Sequence, residues 1–239
     1  MGALERHLAG LRPTVLELSL ESGRPLRLMV LGAHADDIEI GCGATVIRLI
    51  AANPCLEVDW VVASASGERV DEARASAEAY TEGVARVRIH VWEFRDGFLP
   101  YEGPRVKERF EQLKGVSRPD LVLTHYRDDR HQDHRMVSDL TWNTFRDSVV
   151  LEYEIPKWDG DMGQPNLYVE VDELAARTKV DRLNFHFPSQ HGRDWWDDDT
   201  FFSIMRLRGI ECRSRSRHAE AFYARKLVMN PHVLKGLCS

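Results

Sequence analysis

Short apolar segments alternate with helical patterns over the first two thirds of the chain, and this alternation constrains the fold more than any other feature. Four segments predict strands: RLMVLGA (27–33), VDWVVAS (58–64), VRIHVWEF (87–94) and SRPDLVLTH (117–125). Helical patterns lie between or beside them, at 42–53, 71–82 and 106–116. Strands that alternate with helices favour a parallel sheet covered on both faces. We therefore predict an α/β three-layer sandwich around a mostly parallel central sheet.

The length and composition are those of one large domain. The chain has 239 residues, of which 43% are hydrophobic and 29% charged, enough to build a substantial core. Beyond residue 150 the pattern loosens into polar loops, a helix predicted over 172–187 and a last strand near the end. No linker separates a second domain, so we predict a single Rossmann-like domain over 1–239. Its core would span about 26–150, and loops and C-terminal elements about 151–239.

Charge and cysteine usage narrow the class of protein. The formal net charge is −6, with 32 Lys and Arg against 38 Asp and Glu, which disfavours a general nucleic-acid binder. No stretch approaches the roughly 18 consecutive apolar residues of a spanning helix, and the N-terminal sequence is not that of a signal peptide. The cysteines are scattered at Cys42, Cys55, Cys212 and Cys238. We expect free thiols in a cytoplasmic protein that has no membrane anchor.

Two clusters of histidine and aspartate each follow a predicted strand. HADD (34–37) follows the first strand, and RDDRHQDH (127–134) follows the fourth. Ligands of open α/β sheets bind at the carboxyl ends of the strands, so both clusters lie on the edge where a site is expected. Burying these carboxylates would be costly unless a cation compensated their charge. The placement favours a metal site.

Their spacing suggests how the ligands divide. A catalytic zinc takes three protein ligands and keeps one position open for water. His34 and Asp37 can turn toward one point, whereas Asp36 points differently and could reach the water. His131 and His134 have the same spacing, so one of them would complete the ligand set and the other would act on the substrate.

Each motif alone has a simpler explanation. HADD could be a helix cap followed by a surface carboxylate, and an isolated HQDH indicates little. Their joint placement favours the metal site, but two other functions stay open. A phosphoester hydrolase with two metals would need more ligands than the clusters provide. A sugar- or nucleotide-binding module would have no need of the additional carboxylate of Asp36.

The combination of AHADDIEIGCGAT with a later HQDH resembles the LmbE/PIG-L family of zinc-dependent N-acetyl-sugar deacetylases. The resemblance extends from about Arg27 to Met229 and includes AEAF (219–222). Ala35 stands where many members have proline. The family implies a hydrolase that removes the N-acetyl group from an N-acetylglucosamine-type sugar or glycoside and releases acetate and a free amine. Its partner would be a small amino-sugar substrate, and the sequence leaves a homo-oligomer open.

The resemblance also implies roles for individual residues. His34, Asp37 and His134 would bind zinc, although another divalent metal such as Fe²⁺ stays open. Asp36 would be the general base that deprotonates the attacking water. His131 would polarise the acetyl carbonyl and, when protonated, stabilise the oxyanion, or it would help to protonate the leaving amine.

Further residues have supporting roles in this scheme. Asp133 would orient a neighbouring histidine. Either Arg69 or Arg74 would bind hydroxyl or phosphate groups of the substrate, and Asp96 would contact a sugar hydroxyl. The loops after residue 155 would form the substrate-specific wall of the pocket.

Overall fold

A computed structural model describes residues 24–228. In chain order, its strands and helices are β1 (Arg27–Gly32), α1 (Asp37–Ala52), β2 (Glu57–Val62), α2 (Glu68–Tyr80), β3 (Arg86–Val91), α3 (Gly103–Val116), β4 (Leu121–His125), α4 (Gln132–Thr144), β5 (Val149–Tyr153), β6 (Leu167–Val171), α5 (Glu173–His186), α6 (Asp198–Glu211) and β7 (His218–Ala224). Short 3₁₀ turns cover Leu99–Glu102 and Pro188–Gln190. Cys238 and the N-terminal segment lie outside the described residues.

The strands form one seven-stranded sheet in the order β3-β2-β1-β4-β5-β7-β6. The first five strands are parallel, and β7 pairs antiparallel with both β5 and β6. The chain moves outward from β1 through β2 to β3, then returns to place β4 on the other side of β1. This reversal opens a crevice at the carboxyl ends of β1 and β4, where open α/β sheets bind their ligands.

Two hydrophobic cores lie on opposite faces of the sheet because alternate residues of each strand point to opposite sides. In β1, Leu28 and Val30 join the core formed with α1, α2, α5 and α6. Met29 and Leu31 join the core formed with α3 and α4. The predicted three-layer α/β sandwich with a mostly parallel sheet is confirmed.

One helix begins earlier than the sequence predicts, and another helix was not predicted. The helix predicted from residue 42 begins at Asp37, with Asp36 at its N-cap. Helix α4 was not predicted, because its first turn is the polar HQDH motif. His131 caps α4, and its ring nitrogen accepts a hydrogen bond from the Asp133 amide. Both metal-site motifs therefore lie at helix N-termini.

Gly41 is required by close packing. A Cβ at this position would lie 2.1 Å from Cδ2 of Tyr153. Tyr153 is fully buried, and its hydroxyl donates to the Leu31 carbonyl at 2.6 Å, so the ring has no room to move. Gly43 approaches the Tyr80 hydroxyl in the same way. Close packing thus accounts for both glycines of the GCG segment.

We expect Gly41→Ala to lower the free energy of unfolding by about 1–3 kcal/mol, the usual cost of overpacking a core. Urea denaturation measures the change. Gly115→Ala is the matched control, because no heavy atom lies within 4 Å of its added Cβ. The control should leave stability unchanged or raise it by up to about 1 kcal/mol. Equal effects of the two substitutions would contradict this account of the packing.

Cys42, Cys55 and Cys212 are free thiols. Among the helices of residues 24–228, none is both long enough and apolar enough to cross a bilayer.

Candidate metal centre

Side chains that follow β1 and β4 meet in the crevice between these two strands. His34 Nδ1 lies 3.2 Å from Asp37 Oδ2 and 3.3 Å from His134 Nε2. Asp37 Oδ1 lies 3.5 Å from the same nitrogen of His134. Two distant parts of the chain thus bring three potential ligands to one point, as the sequence predicts.

These distances fit a tetrahedral zinc site. Zinc bonds to nitrogen and oxygen are about 2.0–2.1 Å long, so two ligand atoms of a regular tetrahedron lie about 3.3 Å apart. Imidazole nitrogens and a carboxylate are also the donors that zinc prefers. The residues present therefore fit the metal that the sequence implies.

The outer nitrogens of both histidines contact carboxylates. His34 Nε2 lies 3.3 Å from Asp133 Oδ2 and 3.1 Å from Asp96 Oδ1. His134 Nδ1 lies 2.9 Å from Asp129 Oδ2. Carboxylates in this position fix the tautomer and orientation of a metal-binding imidazole. The histidine that Asp133 contacts, and would orient, is His34.

The charges around His34 favour a cation in the crevice. Burial alone lowers the pKa of His34, but the charge of Asp37 and hydrogen bonds to Asp133, Asp37 and Asp96 raise it well above its ordinary value. Burial would raise the pKa of Asp37, and the nearby imidazoles of His134, His125 and His34 instead hold it well below its ordinary value. The carboxylates thus stabilise positive charge at the place where a metal would bind.

Asp36 differs from Asp37 in its surroundings. Its carboxylate is almost fully buried, and Oδ1 lies 3.1 Å from Nη2 of Arg69. Burial raises the pKa of Asp36, against the opposing charge of Arg69. Arg74 is exposed on α2, and no hydrogen bond or ion pair among the described residues joins it to the site. Of the two arginines that the sequence offers, the structure brings Arg69 to the site.

His131 lies beside the ligand atoms with one ring nitrogen already engaged. Its ring centroid is 4.8 Å from that of His34 and 4.6 Å from that of His134. Nδ1 accepts from the Asp133 amide, which leaves the proton of a neutral ring on Nε2. Burial and the neighbouring His34 lower the pKa of His131. Both effects oppose protonation of the ring.

Comparisons with known proteins agree with this geometry. Residues 29–145 match the family model described as PIG-L, GlcNAc-PI de-N-acetylase. Residues 29–145 thus have the sequence pattern of a PIG-L domain. The Escherichia coli (strain K12) protein named uncharacterized deacetylase YaiS is 28% identical over 187 residues, covering 72% of this chain and 97% of YaiS.

Two solved structures show the same fold as this chain. The N,N'-diacetylchitobiose deacetylase of Pyrococcus horikoshii matches with a TM-score of 0.64 and 22% identity, and the match covers 94% of each chain. GalB, the 4-carboxy-2-hydroxymuconate hydratase of Pseudomonas putida KT2440, matches with a TM-score of 0.65 and 14% identity, covering 86% of this chain and 99% of GalB. Because one of these proteins is a deacetylase and the other a hydratase, the fold alone does not decide the reaction.

Three residues around the site were missed by sequence reasoning. Asp129 lies within the RDDRHQDH run, and a carboxylate five residues before His134 was an available signal. Lys157 comes from the loop after β5, and its Nζ lies 2.8 Å from Asp129 Oδ2. His125 stacks on His134 at 3.9 Å, and its Nε2 lies 3.1 Å from Asp37 Oδ2.

We expect Asp133→Asn to weaken metal binding about 10–100-fold, as losing a partner of a ligating histidine does. Asp133 is fully buried and also accepts from the amides of Gly97 at 2.7 Å and Leu99 at 3.1 Å. An asparagine would turn an NH₂ group toward one of these donors. Competition with a chromogenic chelator measures the affinity. Asp139→Asn is the matched control, because Asp139 is exposed on the same helix, and equal affinities of the two variants would contradict the assignment.

Proposed function

We propose that this protein is a zinc-dependent hydrolase that removes the N-acetyl group from an N-acetylglucosamine-type amino sugar or glycoside. The products are acetate and the free amine. The ligand set of His34, Asp37 and His134 carries the proposal. His34 Nδ1 and His134 Nε2 lie 3.3 Å apart, and each lies within 3.5 Å of a carboxylate oxygen of Asp37, which suits one tetrahedral zinc. The match to the PIG-L family model and the likeness to YaiS support the N-deacetylase chemistry.

The buried carboxylate of Asp36 is suited to act as the general base. Zinc in this site would lower the pKa of a water to about 7 and polarise the acetyl carbonyl. Asp36 takes the proton of the attacking water, and the burial that raises its pKa makes it a stronger base. Arg69 holds the carboxylate in place through the contact of 3.1 Å.

His131 is suited to stabilise the negative charge that develops on the acetyl oxygen. Its Nδ1 is engaged by the Asp133 amide, so Nε2–H is the group that donates to the oxyanion. The amine that leaves needs a proton, and the proton that Asp36 has taken from water is available for it.

Arg69 and Asp96 are suited to contact the sugar of the substrate. Arg69 Nη1 is buried and has no hydrogen-bond partner within residues 24–228, so it can donate to a hydroxyl or phosphate oxygen of the substrate. The side chain of Asp96 is 77% exposed although its carboxylate touches His34, which allows it to accept from a sugar hydroxyl.

A two-metal phosphoesterase is less well supported. Besides the proposed ligand set, three other groups of side chains among the described residues could hold a metal: His34–His131–His134, Asp37–His125–His134 and His34–Asp96–Asp133. Each includes His34 or His134, whose ring nitrogens lie 3.3 Å apart, so none of these groups lies away from the proposed site. Paired metal ions about 3.5–4 Å apart would need ligands of their own.

A substrate screen tests the proposed function. The purified protein is stripped with a chelator, reloaded with Zn²⁺ or, without oxygen, with Fe²⁺, and assayed for both acetate and free amine. Substrates are N-acetylglucosamine, its phosphates, its nucleotide conjugates and N,N'-diacetylchitobiose. The proposal expects equal amounts of acetate and amine from at least one of them, and only with metal. Equal activity without metal, or phosphate release in place of acetate, would overturn it.

A further inference from the structure

Helix α1 is interrupted five residues after Asp37. Cys42 has φ −147° and ψ 17°, which lie outside the helical region. In a regular α-helix the amide of Ala44 would donate to the carbonyl of Ile40, and that of Thr45 to Gly41. The kink falls between these groups, and buried backbone groups need partners.

A buried ion pair binds backbone groups on both sides of the kink. Lys179 Nζ donates to the Ile40 carbonyl at 2.6 Å. Glu220 accepts from the amide of Ala44 at 3.1 Å and from that of Thr45 at 2.6 Å. Lys179 and Glu220 also bind each other at 2.6 Å, and their side chains are only 1% and 2% exposed. The ion pair thus connects a carbonyl before the kink to two amides after it.

The pair joins the C-terminal third of the chain to the metal centre. Lys179 lies on α5 and Glu220 on β7, within the AEAF segment. The part of α1 before the kink is a single short turn that begins with Asp37 and follows Asp36. One turn has little stability of its own, so its orientation depends on the groups that bind its end.

We propose that Lys179 and Glu220 are positioning residues of the metal centre, and this rests on the proposed metal-dependent function. By bridging the kink at Cys42, the pair sets the orientation of the turn that carries Asp36 and Asp37. It thereby determines the affinity for the metal and the rate of hydrolysis of bound substrate.

Positioning can be separated from stability here. Replacing a buried ion pair by apolar residues of similar volume is often neutral or stabilising, whereas removing one partner is destabilising. The double variant Lys179→Met/Glu220→Leu leaves no unpaired charge, but it removes the partners of the Ile40 carbonyl and of the Ala44 and Thr45 amides. Its melting temperature should therefore fall, though less than if one charge were left unpaired. A merely structural role predicts that the metal centre of the folded variant is normal.

The test compares the double variant, Glu220→Gln and the wild type in their metal-free and zinc-loaded forms. Arg177→Met is the control, because Arg177 pairs with Glu173 on the exposed face of the same helix. Melting temperature, zinc affinity by chelator competition, kcat and KM are measured. We expect both pair variants to bind zinc about tenfold or more weakly and to have a kcat lower by a similar factor, with little change in KM.

Wild-type zinc affinity in a folded pair variant would overturn the proposal. Glu220→Gln decides the question if the double variant does not fold, because it keeps the side-chain volume and one acceptor oxygen. The control should match the wild type in every measurement. If the wild type binds zinc but releases no acetate, the proposed function fails, and zinc affinity alone still decides the role of the pair.

Discussion

Replacing Asp36 with asparagine is expected to lower kcat about 10²–10⁴-fold, the contribution of a positioned general base. Zinc should stay bound, because Asp36 pairs with Arg69 rather than with the ligand nitrogens. The asparagine keeps the size of the side chain but cannot take a proton from water. Acetate release and zinc content of the same preparation measure the two effects separately.

Asp71→Asn is the control for this variant, because Asp71 is exposed in the first turn of α2. It should have the kcat of the wild type. A fully active Asp36→Asn enzyme would show that another group accepts the proton, and loss of zinc would show that Asp36 is a ligand.

The two histidines of HQDH should respond differently to substitution by alanine. His134→Ala removes a ligand nitrogen, so zinc binding and activity should both be lost. Zinc stabilises a protein against heat only if it binds to the native state. The melting temperature of His134→Ala should therefore not rise when zinc is added. His131→Ala should retain zinc and its thermal response but lose about 10²–10³ in kcat, as when one oxyanion donor is removed.

Each variant is the control for the other, since the two residues lie three positions apart in one motif. Zinc content, thermal shift with zinc and kcat form the measurement. Retention of zinc by His134→Ala together with its loss from His131→Ala would reverse the assignment. Loss of zinc from both would point to a ligand set that includes His131.

The fold was predictable where hydrophobic patterning is strong. Strand β1 was predicted over 27–33 and spans Arg27–Gly32. It could be predicted because a continuous apolar run is typical of a buried parallel strand. Helix α4 was not predicted, because its first turn consists of polar residues of the site and so lacks a helical hydrophobic pattern. The kink at Cys42 was equally hidden, since the groups that stabilise it, Lys179 and Glu220, are distant in sequence.

The site was predictable where it depends on short motifs. HADD and HQDH each follow a predicted strand, which indicated that the two clusters share one edge of the sheet, and the family resemblance implied His34, Asp37 and His134 as the ligands. The spacing within a motif does not show which residues from other parts of the chain will contact it, so it could not indicate Lys157. The choice between Arg69 and Arg74 also required coordinates, because it depends on the residue at which α2 begins and on the direction of its first turn.

The most direct test is an anomalous difference map from crystals of the zinc-loaded protein, recorded on both sides of the zinc absorption edge. The account predicts one peak per chain, about 2.0–2.2 Å from His34 Nδ1, His134 Nε2 and a carboxylate oxygen of Asp37. A peak held instead by Asp96 and Asp133, or no peak between β1 and β4, would contradict it.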